Sequence, residues 1–185
     1  MTPLTVALIH LAVLSAAAVA SGPPDPKAAP RAWKVEGLPA SKAVGPDPVT
    51  LTVARDGELT KALTAAVGDS GGKGTVRLTL GGLDLADRKV GVKVYVNAPA
   101  DGPLPPADSD HYVGLVGAFG KREKGDYAID LAPALRKLAA KKAWAPGDPI
   151  TIRLAAAPVS PRQPVAEPKA ALDRVTVEAL PGGQE

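Results

Sequence analysis

The stretch Val92-Lys93-Val94-Tyr95-Val96-Asn97 decides the fold class, because a branched apolar side chain recurs in it at every second position. A period of two indicates a strand with one buried face and one face in water. The same alternation returns at 49–53, 76–80, 150–154 and 175–178, and Tyr112–Phe119 and Tyr127–Leu131 are further strand candidates. The residues therefore predict an all-β fold, an antiparallel β-sandwich of about seven strands separated by Gly, Pro and Asp turns.

One short helix is predicted near the last third of the chain. Its signal is leucine at i, i+4 and i+7, in Leu131, Leu135 and Leu138. The helix should span about 131–143, with Asp130 as its N-cap and Pro146–Gly147 as its end. A second, weaker helical pattern covers Glu58–Val67.

Composition excludes several kinds of chemistry. The 185 residues include no Cys and two His, His10 and His111, so disulfides, thiolate sites and centres that need several imidazoles are excluded. Lys and Arg number 22 against 19 acids, and the formal net charge is +3. The basic residues are scattered and lack interleaved aromatics, so we expect no nucleic-acid partner. No cofactor is predicted.

The first 20 residues are expected to be a signal peptide. Leu4–Ala20 carries no charge and ends in Ala18-Val19-Ala20, the small-x-small pattern that a signal peptidase accepts. Cleavage there predicts an exported protein, periplasmic or secreted. The alternative is an uncleaved membrane anchor formed by residues 4–20, which lie at the short limit for spanning a core of about 30 Å.

The chain after the signal divides into two parts. Residues 21–32 are rich in proline and are predicted to be a linker. Residues 33–185 are predicted to form a single β-sandwich domain, with no internal repeat of the kind found in solenoid proteins.

Two glycine-containing motifs have a structural and a catalytic interpretation. Gly68-Asp69-Ser70-Gly71-Gly72 matches the nucleophile signature of chymotrypsin-like proteases, but His111 lies downstream, whereas that family places its histidine upstream of the serine. A Gly-rich turn is the favoured interpretation, and a small hydrolase using Ser70 or loop carboxylates stays an alternative. Gly81-Gly82 is predicted to mark a bulge or close strand packing.

One acidic loop contains a histidine. Carboxylates and an imidazole can hold a metal ion, and this loop offers Asp101, Asp108, Asp110 and His111. Their spacing fits no metal-binding loop, so the sequence favours a solvated acidic turn and no metal site.

Three aromatic residues fall in predicted strands. Tyr95, Tyr112 and Phe119 are expected to form core or cross-strand pairs. The alternative is an exposed aromatic surface that binds a protein partner or a sugar. These three residues are therefore the candidate interaction surface.

The strand 92–97 resembles the Phe-Asp-Val-Tyr-Val-Asn strand in the C-terminal domain of plant polyphenol oxidases and related bacterial tyrosinases. Segments in the same order along the chain are also similar to that domain: Tyr112–Phe119, Tyr127–Leu138, Asp148–Leu154 and Val175–Glu178. In that family the dicopper centre lies in a separate helical domain with six His, which this chain lacks.

The resemblance implies an accessory β-sandwich that packs over a catalytic domain. We therefore expect a non-enzymatic, exported domain that acts by protein–protein contact, with a tyrosinase-like copper oxidase as the partner. The alternatives are a cell-surface or carbohydrate-binding module and, third, a small hydrolase.

Overall fold

The computed structural model describes residues 32–54, 56–68, 73–85, 87–117 and 124–180. The elements within them are, in chain order, β1 (Ala32–Glu36), β2 (Ala43–Val44), β3 (Val49–Val53), α1 (Gly57–Val67), β4 (Thr75–Leu85), β5 (Val90–Val96), β6 (Tyr112–Gly117), β7 (Lys124–Asp130), α2 (Ala132–Ala140), β8 (Ile150–Pro158), β9 (Ala170–Ala171) and β10 (Arg174–Leu180). The predicted all-β, sandwich-like fold is confirmed.

The strands form two antiparallel sheets that share one strand. The first sheet runs β2-β9-β4-β10-β1, with β7 on the other side of β4, and the second runs β1-β3-β8-β5-β6. Strand β1 pairs with β10 through residues 32–34 and with β3 through Val35 and Glu36. The shared strand therefore carries the backbone from one sheet into the other.

The core lies between the sheets and follows the predicted alternation. Val92, Val94 and Val96 of β5 are fully buried, as are apolar residues of β4 and β8. The two helices contribute Leu59 and Leu63 of α1, and Leu135 and Leu138 of α2. Fully burying one such side chain stabilises the fold by about 1.5–3 kcal/mol.

Helix α2 is shorter than the predicted span of 131–143, and it ends before Pro146–Gly147. Lys142 adopts a left-handed φ of 55°. Its N–H donates to Ala139 O at 2.9 Å, and the next N–H, of Ala143, donates to Leu138 O at 2.9 Å. This pair of bonds is a Schellman motif, which closes a helix whatever follows it.

The start of α2 also differs slightly from the prediction. Leu131 occupies the N-cap position, and its side chain accepts no capping hydrogen bond. Asp130, one residue earlier, still caps the first turn, because its Oδ1 accepts from the N–H of Ala132 at 2.9 Å. The same oxygen accepts from the N–H of Val76 at 3.0 Å. One carboxylate thus fixes the helix to β4.

Three strands were not predicted, namely β1, β2 and β9. Ala32, assigned to the linker 21–32, is the first residue of β1, and Trp33 in that strand donates from Nε1 to Asp56 Oδ2 at 3.1 Å. Residues 1–31, and with them the predicted signal peptide, lie outside the described residues. Within the described ranges, no helix is long and apolar enough to span a bilayer.

Candidate interaction surfaces

The outer face of the second sheet carries a buried arginine. Tyr95 and Arg153 are directly opposite each other on β5 and β8, between residues that point into the core, so both side chains point outward. Arg153 is nevertheless only 4% exposed. Its Nη1 donates to Pro99 O at 2.5 Å and its Nη2 to Gly102 O at 3.2 Å. The loop of residues 97–111 therefore folds back over this face.

Asn97 fixes the start of that loop. Its φ of 49° is left-handed, a conformation that asparagine tolerates better than most residues. The N–H of Asn97 donates to Thr151 O at 2.8 Å, and its Oδ1 accepts from the N–H of Thr151 at 2.8 Å. These reciprocal bonds join β5 to β8 at the point where the chain leaves the sheet.

The four residues of the acidic loop that could have held a metal lie in separate environments. Asp110 bonds to the Lys141 ammonium, and this bond holds the pKa of the Asp110 carboxyl below its ordinary value. His111 places Nδ1 3.1 Å from Val96 O, a contact that needs the proton on Nδ1. Asp101 and Asp108 are exposed. Among the described residues, no three His, Asp or Glu side chains gather in a metal-binding group.

The predicted aromatic surface is only partly present. Tyr95 is 1% exposed, so its inclusion in an exposed interaction surface was wrong. It packs against half-buried Tyr112, with ring centroids 5.2 Å apart, and is a cross-strand pair as the other interpretation predicted. Burial raises the pKa of both tyrosines. Phe119 lies outside the described residues. The carbohydrate-binding alternative therefore loses its central aromatic residue.

The predicted bulge at Gly81-Gly82 is confirmed. The register between β4 and β7 shifts by one residue between Leu80 and Leu83, and Gly82 has a φ of 63°. A Cβ on Gly81 would lie 2.5 Å from Arg174 Cγ, and one on Gly82 would lie 2.2 Å from Asp173 Oδ2. Both glycines therefore make room for charged side chains at and just before the start of β10.

Those side chains belong to a charged network on the outer face of the first sheet, formed by Lys42, Lys124, Asp126, Asp173 and Arg174. Arg174 Nη2 lies 2.5 Å from Asp126 Oδ2, and Asp126 Oδ1 accepts from the N–H of Gly82 at 2.8 Å. Asp173 receives Lys42 Nζ at 3.2 Å and Lys124 Nζ at 3.9 Å. The hydrogen bond from Lys42, with the nearby positive charges, lowers the pKa of Asp173.

Sequence reasoning missed this network. Its five members come from three separate parts of the chain, and only the register of β4 with β7, β9 and β10 brings them together. The glycine pair was the one local signal, and it indicated close packing without indicating what packs there.

Two open clefts lie among the described residues, and the first borders the charged network at Lys42. One, of about 390 Å³, is lined by residues 35–40 and Lys42, and the other, of about 250 Å³, lies between α1 and α2. Ser70 of the protease-like motif lies outside the described residues.

No family model matches the chain, and no curated protein matches its sequence. The resemblance to the polyphenol oxidase domain therefore rests on the residues quoted above.

Proposed function

We propose that this chain is an exported, non-catalytic β-sandwich accessory domain that acts by protein–protein contact, with a tyrosinase-like type-3 copper oxidase as its partner. One observation carries the proposal. Two of the segments that resemble that domain, 92–97 and 148–154, lie side by side on β5 and β8, and Asn97 joins them through Thr151. If the chain shares the fold of that domain, segments that resemble it should pair with each other in the structure, as these two do.

The charged network is the surface that we assign to the partner contact. Exposed ion pairs contribute only about 0–1 kcal/mol each to stability, so its ion pairs add little to folding. Fixed charges on rigid strands do give a contact its orientation and specificity. Arg174 is central, because it spans Gly81 and bonds to Asp126.

Affinity capture from the exported fraction tests the proposal. The tagged chain should recover an oxidase that is rich in paired histidines and contains copper, and adding the chain should change that oxidase's activity. Arg174→Glu reverses the charge at the centre of the network and should abolish capture. Arg162→Glu, at an exposed loop position, is the matched control and should capture normally. Recovery of no copper oxidase, or equal recovery by both variants, would contradict the proposal.

A further inference from the structure

The loop of residues 97–111 covers the second sheet with little apolar packing of its own. The structure describes the whole loop, and within it Ala98 alone is buried, while residues 99–103 and 106–108 are exposed. Between its two ends the loop is fastened by Arg153, which donates to Pro99 O and Gly102 O. A segment with few buried apolar contacts opens at a lower free energy than the core of the same fold.

The closed loop also leaves buried polar atoms unpaired. Asn97 Nδ2, Ser109 Oγ and Arg153 Nε are buried and have no hydrogen-bond partner among the described residues. A buried polar atom without a partner has lost its bonds to water and gained none in return, and the cost is larger for a charged group. Opening the loop returns these atoms to water, which offsets part of the cost of losing the two bonds from Arg153.

Both ends of the loop are anchored independently of Arg153. At the first end, reciprocal bonds join Asn97 to Thr151. At the second end, the N–H of Val96 donates to His111 O at 2.9 Å, and Asp110 pairs with the lysine at the C-cap of α2. The middle of the loop can therefore move while its ends stay in place.

We propose that residues 98–109 lift away from the second sheet as one unit while the sandwich stays folded, so that the loop controls access to Arg153 and Tyr95. In the closed state these side chains are 4% and 1% exposed. In the open state the sheet presents a guanidinium beside a tyrosine ring, two residue types that often dominate the binding energy of protein interfaces. This inference does not depend on the proposed function, which assigns the partner contact to the other sheet.

Chemical labelling of arginine in the native chain tests the opening. Phenylglyoxal modifies a guanidinium only when it is exposed, so Arg153 reacts through open states, and mass spectrometry separates its rate from those of the other arginines. At low urea this rate should be almost independent of urea, because lifting the loop exposes little surface. Amide exchange of Val94, which is fully buried in the core, requires global unfolding and should rise steeply with urea. The same urea dependence for both residues would overturn the proposal.

Gly102→Ala tests the part played by the loop. Gly102 has a left-handed φ of 87°, and a Cβ added to it would meet no atom within 4 Å. The substitution therefore disfavours the closed backbone conformation without a collision, and it should speed the labelling of Arg153 about tenfold.

Gly82→Ala is the matched control, because it strains a left-handed glycine in the other sheet. At low urea it should leave the labelling rate of Arg153 unchanged. No increase in folded Gly102→Ala, or an equal increase in both variants, would refute the opening of the loop as a unit. The urea dependence measured on the unaltered chain decides the question alone where Gly102→Ala fails to fold.

Discussion

At the scale of single residues, Arg153 has the least ordinary environment. It is the buried charged side chain of the described residues, and no carboxylate among them pairs with it. Two backbone carbonyls receive its guanidinium instead, and both belong to the loop that covers it. The loop and the arginine therefore depend on each other.

Arg153→Ala should lower the free energy of unfolding by about 2–4 kcal/mol, because it removes two charge-assisted bonds and the packing beneath the loop. Arg153→Lys should restore less than half of this loss, since one ammonium cannot reproduce the forked geometry of the guanidinium. Urea unfolding measures both. Arg162→Ala, at an exposed position, is the control, and a loss at Arg153 no larger than in that control would refute the assignment.

The sequence predicted the faces of these residues but not their burial. Alternation in β5 and β8 correctly placed Tyr95 and Arg153 on the side away from the core. That side was expected to be exposed to water. It is instead buried, because the loop of residues 97–111 folds back over it. A loop without periodicity gives no signal of the surface on which it will lie.

At the scale of elements, the bulge in β4 couples backbone conformation to side-chain charge. Gly82→Ala should cost about 3 kcal/mol of stability, from the left-handed φ together with the collision with Asp173. In an Asp173→Gly background the same substitution should cost only about 1–2 kcal/mol, the conformational part alone. A double-mutant cycle from denaturant unfolding measures this coupling, and strictly additive losses would show that the collision is absent.

The end of α2 offers a stabilising substitution. Lys142 holds a left-handed conformation that costs a non-glycine residue about 1–2 kcal/mol. Lys142→Gly removes that cost. It also raises the conformational entropy of the unfolded chain, which lowers the net gain in stability by about 0.4–1 kcal/mol. The melting temperature should therefore rise, by the equivalent of about 0.5–1 kcal/mol. Lys137→Gly, inside the helix, should lower it, and a melting temperature that falls in both variants would contradict the Schellman assignment.

Elements were predictable in proportion to their length and periodicity. The helix at 58–67 and the seven long strands had enough repeats to be recognised. Strands β2 and β9 have two residues each, which is too few for any period, and β1 follows directly on a proline-rich stretch. The end of α2 was misjudged because a lysine took the position that glycine usually occupies.

At the scale of the whole molecule, stability should decline in alkaline solution. Burial raises the pKa of Tyr95 and Tyr112 above the ordinary 10.0. The unfolded hydroxyls therefore ionise first, so this contribution is complete below about pH 10 and is lost as pH rises through the folded pKa values. Urea midpoints from about pH 8 to about pH 11 should fall at the alkaline end. The fall should be shallower in Tyr112→Phe, and equal slopes in the two proteins would disprove the cause.

The neighbouring positions of β1 and β10 have a consequence for synthesis. Ala32 pairs with Glu178, so about 150 residues separate two strands that touch. At roughly 5–20 residues per second, a ribosome needs several seconds or more between making the first strand and the last. The pairing of β1 with β10 therefore cannot form until β10 has been synthesised. A transcript truncated before β10 would leave both β1 and β4 without the strand that lies between them.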